Sequence, residues 1–313
     1  MRLFALLSMA AVALAAIPTI ATAGLVGHYA LDDGSGLTAA DSAANPLPGT
    51  LTGDATPGGS TSGNGTFDSP DWVGGVSGTA LSFGDFYTNS TTFGPKIDDV
   101  VEVANSGAGS KYEITGAISI SAWVNLDSNS ANGRKSTRHI AGRDTAGGPT
   151  GDVFSLKHRM GSSADLLEFL IDDPSTGNVN LAAAETLTTY QSASTHNGWV
   201  HVVGVFSPDD YMRIYVDGSL EGEYTEAVDG VPAAIDNSDA GATPLTIGRL
   251  NNSDEHSFYG SIDDVQFYDM ALSDDEVAYL FANPGATVPE PTAVLTMLGM
   301  VGVLAAVRRH TCS

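Results

Sequence analysis

Cysteine is all but absent from this chain: one occurs in 313 residues, Cys312, next to the last position. No intrachain disulfide can form, so stability has to come from the core and from non-covalent ties. Basic residues are scarce too. Lys and Arg total 13 against 37 Asp and Glu, a formal net charge of -24. A body so acidic repels nucleic acid and anionic lipid surfaces, which argues against both as partners. It suits an extracellular protein, and its carboxylates offer oxygen ligands to hard cations such as Ca²⁺. Catalytic signatures are missing as well: there is no G-x-S-x-G elbow, no His/Cys metal set and no phosphate-cradling glycine motif. Retaining glycosidases hold two carboxylates about 5 Å apart, commonly at i and i+4 on one strand face. Glu168 and Asp172 have that spacing, but the segment runs into a turn at Asp172-Asp173-Pro174. These gaps point away from an enzyme, unless paired acids come from separate strands.

What the chain does have is strands. With 42% hydrophobic residues and 36 Gly it is large enough for one all-β domain with a full core. Gly260–Leu272, GSIDDVQFYDMAL, reads as the last strand, with Val265 and Phe267 on one face and Ile262, Gln266 and Tyr268 on the other. Asp263 shares the parity of Val265 and Phe267 and is expected on the packed side, with Asp264 facing away. Ser273 and Glu276 form a capping box that opens a short helix through Phe281. Leu25–Leu31 is the first strand, followed by the turn Asp32-Asp33-Gly34-Ser35-Gly36 and by Asp41 and Asn45, placed to bond nearby backbone amides. Gly53–Gly75, rich in Gly, Ser, Thr and Pro, reads as a long loop. In Ile114–Val124 the core face is Ile118, Ile120, Ala122 and Val124, and Ser119, Ser121 and Trp123 lie opposite. Arg138–Arg143, Asp152–His158, Leu166–Ile171, Gly198–Phe206 and Leu245–Arg249 are further strands. Tyr211–Val216 and Ser219–Tyr224 form a hairpin whose Asp217-Gly218 pair suits a type I′ turn. Met212, Ile214 and Val216 face its core side and Tyr211, Arg213 and Tyr215 the other.

The opening Tyr29-Ala-Leu-Asp-Asp-Gly-Ser-Gly36, the Asp41-Ser-Ala-Ala-Asn45 bend, the ISAWV and WVHVVGVF strands and the strand–turn–helix ending together resemble the laminin-G-like, concanavalin A-like jelly-roll family. The resemblance covers nearly all of Leu25–Phe281. It implies an all-β concanavalin A-like (laminin-G-like) jelly-roll β-sandwich, flanked here by an N-terminal signal helix and a C-terminal hydrophobic helix. It also implies a structural Ca²⁺ where the first turn meets the last strand, which falls on Asp263 and, in the first turn, on Asp33. Hydrogen bonds from neighbouring amides are the alternative for Asp263.

Both ends read as addresses. Residues 1–23 carry a basic Arg2, an apolar run and the ending Ala21-Thr22-Ala23, the pattern of a secretory signal peptide cut before Gly24. Residues 24–287 are the jelly-roll domain. In residues 288–313, Val288-Pro-Glu-Pro291 precedes an apolar run of ~15 residues, short of the ~20 that span a bilayer, and then Arg308-Arg309. This tail resembles the PEP-CTERM sorting signal of bacterial exported proteins. The resemblance implies the secretion machinery and an exosortase-type processing enzyme as partners, and a transient membrane contact through the C-terminal helix. A plain C-terminal anchor is the alternative.

Candidate ligand-binding residues follow from the strand faces. Tyr211, Arg213 and Tyr215 form an aromatic and basic set fit to line a groove. Trp123 is either a sugar-stacking side chain or a residue buried under a covering segment. Phe86, Tyr87 and Phe93 in a polar insertion are a further aromatic set, and Arg134, Lys135, Arg138, Arg143, Lys157 and Arg159 a basic one, open to an acidic polysaccharide or to internal pairing. His196 and His201 lack the partners a metal centre needs. The resulting expectation is an exported, non-enzymatic module of the cell envelope or exopolysaccharide that binds carbohydrate or other matrix components. A structural matrix protein without a ligand and a glycoside hydrolase are the alternatives.

Overall fold

The computed structural model describes residues 24–52, 71–83, 99–104, 109–126, 137–144, 152–160, 165–238, 241, 243–250 and 258–289. The two terminal segments, the aromatic insertion at Phe86, Tyr87 and Phe93, and the pair Arg134 and Lys135 lie outside these residues. The strands are β1 (Leu25–Tyr29), β2 (Thr38–Ala39), β3 (Gly49–Thr52), β4 (Asp71–Gly74), β5 (Thr79–Phe83), β6 (Val100–Val103), β7 (Ile118–Leu126) and β8 (Arg138–Asp144). They continue as β9 (Asp152–Met160), β10 (Asp165–Asp173), β11 (Gly177–Thr186), β12 (Val200–Ser207), β13 (Tyr211–Val216), β14 (Ser219–Thr225), β15 (Leu245–Ile247) and β16 (Gly260–Tyr268). Among the described residues helices are few: α1 (Leu187–Ala193), α2 (Glu226–Asp229) and α3 (Asp274–Ala282). Among the described residues no helix is long and apolar enough to cross a membrane.

Two eight-stranded sheets form a sandwich. Sheet A runs β14-β13-β12-β7-β16-β5-β4, with β1 also paired to β16, and sheet B runs β11-β10-β9-β8-β15-β6-β3-β2. Every pairing is antiparallel. The inner faces share one core, in which Ile118, Ile120, Ala122, Val124, Val202, Phe206, Met212 and Ile214 of sheet A meet Val101, Ile140, Leu156, Leu167, Phe169 and Ile247 of sheet B. The alternation expected in β7, β12 and β13 is what builds it. Contact between the sheets is tight at Gly204, where an added Cβ would fall 2.3 Å from Phe169 Cδ2. The Asp217-Gly218 turn has φ of 48° and 76°, the left-handed pair a type I′ hairpin needs.

Three expectations change. Of the loop expected over Gly53–Gly75, residues 53–70 lie outside the described ones and Asp71–Gly74 form strand β4; β11, a ten-residue edge strand, follows a turn where no strand was expected. The third change concerns β16. Register shifts between Asp263 and Gln266, where Asp264 sits at φ of 47°. This bulge places one extra residue against β7 and reverses the alternation. Ile262 therefore enters the core beside Val265 and Phe267, while Asp263 pairs with Trp123 on the outer face. Asp264 does not face away into solvent; it is buried.

Candidate functional site

The outer face of sheet A carries Trp123, His201, Val203, Val205, Arg213, Tyr215 and Tyr268, and it is closed. The capping box expected at Ser273 and Glu276 is present and starts α3, whose Val277 and Leu280 pack with Val203, Val205, Tyr215, Tyr268 and Val288. Residues beyond α3 return over the same face. Gly285 N donates to Asp264 Oδ2 (2.8 Å), Gln266 Nε2 to the Ala286 carbonyl (2.9 Å) and Val288 N to the Tyr268 hydroxyl (3.3 Å).

Trp123 has no exposed surface. Phe281 of α3 stacks on it at 5.8 Å, with His201 and His196 each 4.9 Å away. A side chain so enclosed offers no face to a sugar, so Trp123 leaves the set of candidate ligand contacts. Burial pushes His201 down to about 4, and its Nε2 is 2.9 Å from Ser121 Oγ. It is a neutral structural imidazole. Among the described residues no group of three or more His, Cys, Asp or Glu stands ready to hold a metal.

Tyr211, Arg213 and Tyr215 do share one face, but they are largely spent on each other and on α3. Tyr215 is buried and its hydroxyl donates to Asp274 Oδ1 (2.6 Å). Arg213 donates from Nε to Glu223 Oε1 (2.6 Å), reaches Asp274 at 3.5 Å and lies 3.9 Å over the Tyr211 ring. Only Tyr211 and Arg213 keep part of their surface in water.

Asp263 and Asp33 are engaged with separate backbone donors. Asp263 Oδ2 accepts from Val76 N (2.8 Å) and Ser77 N (3.3 Å), and Oδ1 from Asp264 N (2.8 Å). Asp33 Oδ2, on an exposed residue, accepts from Ala40 N (3.0 Å). Three converging N–H donors hold the Asp263 carboxylate as the amide-held alternative expects. A calcium chelator is expected to shift the melting temperature by less than about 1 °C, whereas Asp263→Ala, which strands three amides, lowers it by several degrees. A chelator-induced drop in the wild type that vanishes in Asp263→Ala would return calcium to this residue.

The outer face of sheet B is polar, and no linear motif announces it. One register line crosses all eight strands: Asn180, Leu170, Ser155, Gly142, Thr246, Glu102, Thr50 and Thr38. Asn180, Thr50 and Thr38 are exposed at its margins, and Ser155 and Thr246 are buried at its centre. Beside it runs a second line, Ala182, Glu168, Lys157 and His139. Here Lys157 pairs with Asp152, Ser155 Oγ donates to Asp152 Oδ2 (2.7 Å) and Thr246 Oγ1 is 3.2 Å from His139 Nε2. Arg159 Nε lies 3.9 Å from Glu168 and Arg249 3.6 Å from Glu102. Burial raises the Glu168 carboxyl against the pull of Lys157 and Arg159; at Asp152 burial works the same way but Lys157 overrides it and the carboxyl is lowered. Among these groups three carboxylates meet three cations. Within the basic set read from the sequence, Arg143 also pairs internally, at 2.5 Å from Glu113.

Comparison with known proteins follows the fold. The model of the family Laminin_G_3, described as the concanavalin A-like lectin/glucanases superfamily, matches residues 95–278. The binding domain of Paraclostridial Mosquitocidal Protein 1 is similar at a TM-score of 0.51 and 14% identity, over 82% of this chain and 52% of that one. Domain 4 of AbnA, a GH43 extracellular arabinanase from Geobacillus stearothermophilus solved with arabinotriose, gives 0.51 and 18%, over 83% and 98%. The binding domain of Botulinum neurotoxin DC, solved with rat synaptotagmin II, gives 0.50 and 13%, over 83% and 51%. At these identities the likeness is one of fold. The chain spans about half the length of the two toxin chains. No curated protein matches it.

Proposed function

The chain belongs to the concanavalin A-like lectin/glucanases superfamily, and from that premise we propose that it is an exported module that binds carbohydrate without breaking glycosidic bonds. The observation that carries the reading is the contrast between its two outer faces. Sheet A is roofed by α3 and buries Trp123, while the outer face of sheet B carries an in-register polar line that is buried at Ser155 and Thr246 but reaches solvent at its Asn180, Thr50 and Thr38 margins, flanked by ion pairs. The exposed margins can exchange hydrogen bonds with sugar hydroxyls, and the pairing of the nearby charges suits a polysaccharide better than a polyelectrolyte. Support of a looser kind comes from the similar arabinanase domain, which held arabinotriose. Against a glycosidase stands the tie of both Asp152 and Glu168 to cations. The reading of the two ends as a signal peptide and a PEP-CTERM-like tail supports delivery to the cell envelope or exopolysaccharide through the secretion machinery and an exosortase-type enzyme.

The test is a glycan array with the full chain and two double variants. Arg159→Ala/Asn180→Ala alters the sheet B face at exposed positions; Tyr211→Ala/Arg213→Ala alters the patch beside α3. The expected result is binding to a neutral or weakly charged glycan, weakened at least about tenfold by the first pair and unchanged by the second, since a few hydrogen bonds account for 1–2 kcal/mol. The reverse pattern would move the site to Tyr211 and Arg213. A blank array from folded protein would favour a structural matrix role.

A further inference from the structure

A Ser–His–Asp relay runs from the bend after β2 through β1 to the β16 bulge, beside the segment that closes the outer face of sheet A. Ser42 is exposed, in the bend between β2 and β3, and its Oγ is 2.7 Å from His28 Nδ1. His28, on β1, is 6% exposed, and its Nε2 is 2.8 Å from Asp264 Oδ1. Asp264 is buried at the β16 bulge, in left-handed backbone that strains a residue with a side chain. Two further donors fix its carboxylate: Gln266 Nε2 on Oδ1 and Gly285 N on Oδ2, both at 2.8 Å. With Asp264 accepting from Nε2–H, Nδ1 is left as the acceptor, and the Ser42 hydroxyl donates to it. The backbone around the pair is tied down. Ser42 N donates to the His28 carbonyl (2.9 Å), and Asp41 Oδ1 accepts from His28 N and Ala43 N at 3.0 Å each. Exposure falls from nucleophile to base to acid, the order a surface acyl-transfer site requires: the reacting oxygen reaches solvent and the orienting carboxylate does not.

We propose that Ser42 is a nucleophile toward small acyl esters, such as O-acyl substituents on a glycan, with His28 as its general base and Asp264 as a positioning residue. Ser42 Oγ adds to the ester carbonyl carbon while its proton passes to His28 Nδ1. Collapse of the tetrahedral adduct breaks the C–O bond to the alcohol, which takes the proton back from His28. Water then adds to the acyl-Ser42 carbonyl as His28 accepts its proton, and collapse breaks the C–Oγ bond, His28 returning the proton to Ser42 Oγ as the carboxylic acid leaves. The Ala43 amide is held by Asp41 and is not free to serve as an oxyanion donor. This site does not rest on the carbohydrate-binding reading. Glycan binding and acyl transfer are scored separately, and either can fail alone.

The experiment treats the full-length chain with a fluorophosphonate probe, maps the labelled peptide and follows p-nitrophenyl acetate hydrolysis in parallel. One label per chain at Ser42 is expected, absent in Ser42→Ala, and formed at least about 100-fold more slowly in His28→Gln. Asp264→Asn should slow it as well, because an amide no longer selects the Nε2–H tautomer. Ser42→Ala removes an exposed hydroxyl and leaves the fold intact, so it remains decisive if the His28 or Asp264 variants unfold. No label at Ser42, a label elsewhere, or equal ester hydrolysis by wild type and Ser42→Ala at matched melting temperature overturns the proposal.

Discussion

Asp41→Ala is expected to lower the melting temperature by roughly 10 °C, the response of a domain this size to a loss of about 3–5 kcal/mol. Asp41 is 7% exposed and holds four donors at once. Oδ1 takes His28 N and Ala43 N, and Oδ2 takes Leu47 N (2.8 Å) and Lys111 Nζ (2.5 Å). Lys111 also donates to the carbonyls of Val26 and Asn45, both at 2.8 Å. One carboxylate thus ties β1, the bend after β2 and the Lys111 turn into a single knot. Alanine leaves three amides without their acceptor and a mostly buried ammonium without its counter-charge, which costs more than the bonds themselves are worth. Asp41→Asn keeps one acceptor and loses the ion pair, so its loss should be about half as large. Burial works to raise the Asp41 carboxyl, but the amides and Lys111 override it and hold it below its ordinary value. The stability it contributes is present above the unfolded carboxylate range and lost as pH falls through the folded value. The difference in melting temperature between wild type and Asp41→Ala should therefore shrink on strong acidification. A difference below about 2 °C at neutral pH would show that the knot is not what holds these segments together.

Asp41 was legible in part: its bonds to Ala43 N and Leu47 N lie within six residues, while those to His28 N and Lys111 Nζ come from 13 and 70 positions away and were not. The strands of the core were legible for a related reason. Period-two alternation in β7, β12 and β13 needs only neighbouring residues to declare a face, and the structure follows it at Ile118, Val202 and Met212. What escaped depends on contacts or irregularities that alternation does not encode. The bulge at Asp264 inserts one residue, and counting parity across it puts Asp263 and Ile262 on the wrong faces. Strand β11 carries Ala182-Ala183-Ala184, residues with little strand preference, and its place is set by pairing with β10. Trp123 is buried by Phe281, whose helix is 158 positions away, and the sheet B face assembles His139, Lys157, Glu168 and Thr246 from four strands. The relay is likewise non-local: Ser42 and His28 are near in sequence, but the acid that orients them comes from the last strand.

Asp263→Asn is expected to flatten the pH dependence of stability, and the two curves should cross. Burial, helped by the charge of Asp264, pushes the Asp263 carboxyl up to about 8 against the pull of the Ser77, Val76 and Asp264 amides. The unfolded chain ionises near the ordinary value of about 4. Between these values the folded protein keeps a proton that the unfolded chain has released, so stability is full below about pH 4, falls as pH rises toward 8 and is level beyond. A displacement of this size is worth several kcal/mol in all. Asparagine carries no such proton and removes the slope. It also costs something at every pH, because its amide group must meet either the Asp264 N–H or the Val76 and Ser77 pair with a donor where an acceptor stood, about 1–3 kcal/mol. The variant should thus be the less stable protein at pH 5 and match or exceed the wild type at pH 9. Glu168 and Asp217, raised by burial, tilt both curves the same way, and Asp41, Asp152 and Asp165, lowered by their partners, tilt both the other way. The quantity to read is therefore the difference between two denaturation series at matched pH. Parallel curves from pH 5 to 9 would mean that Asp263 is already ionised in the fold, held as an anion by its three amides.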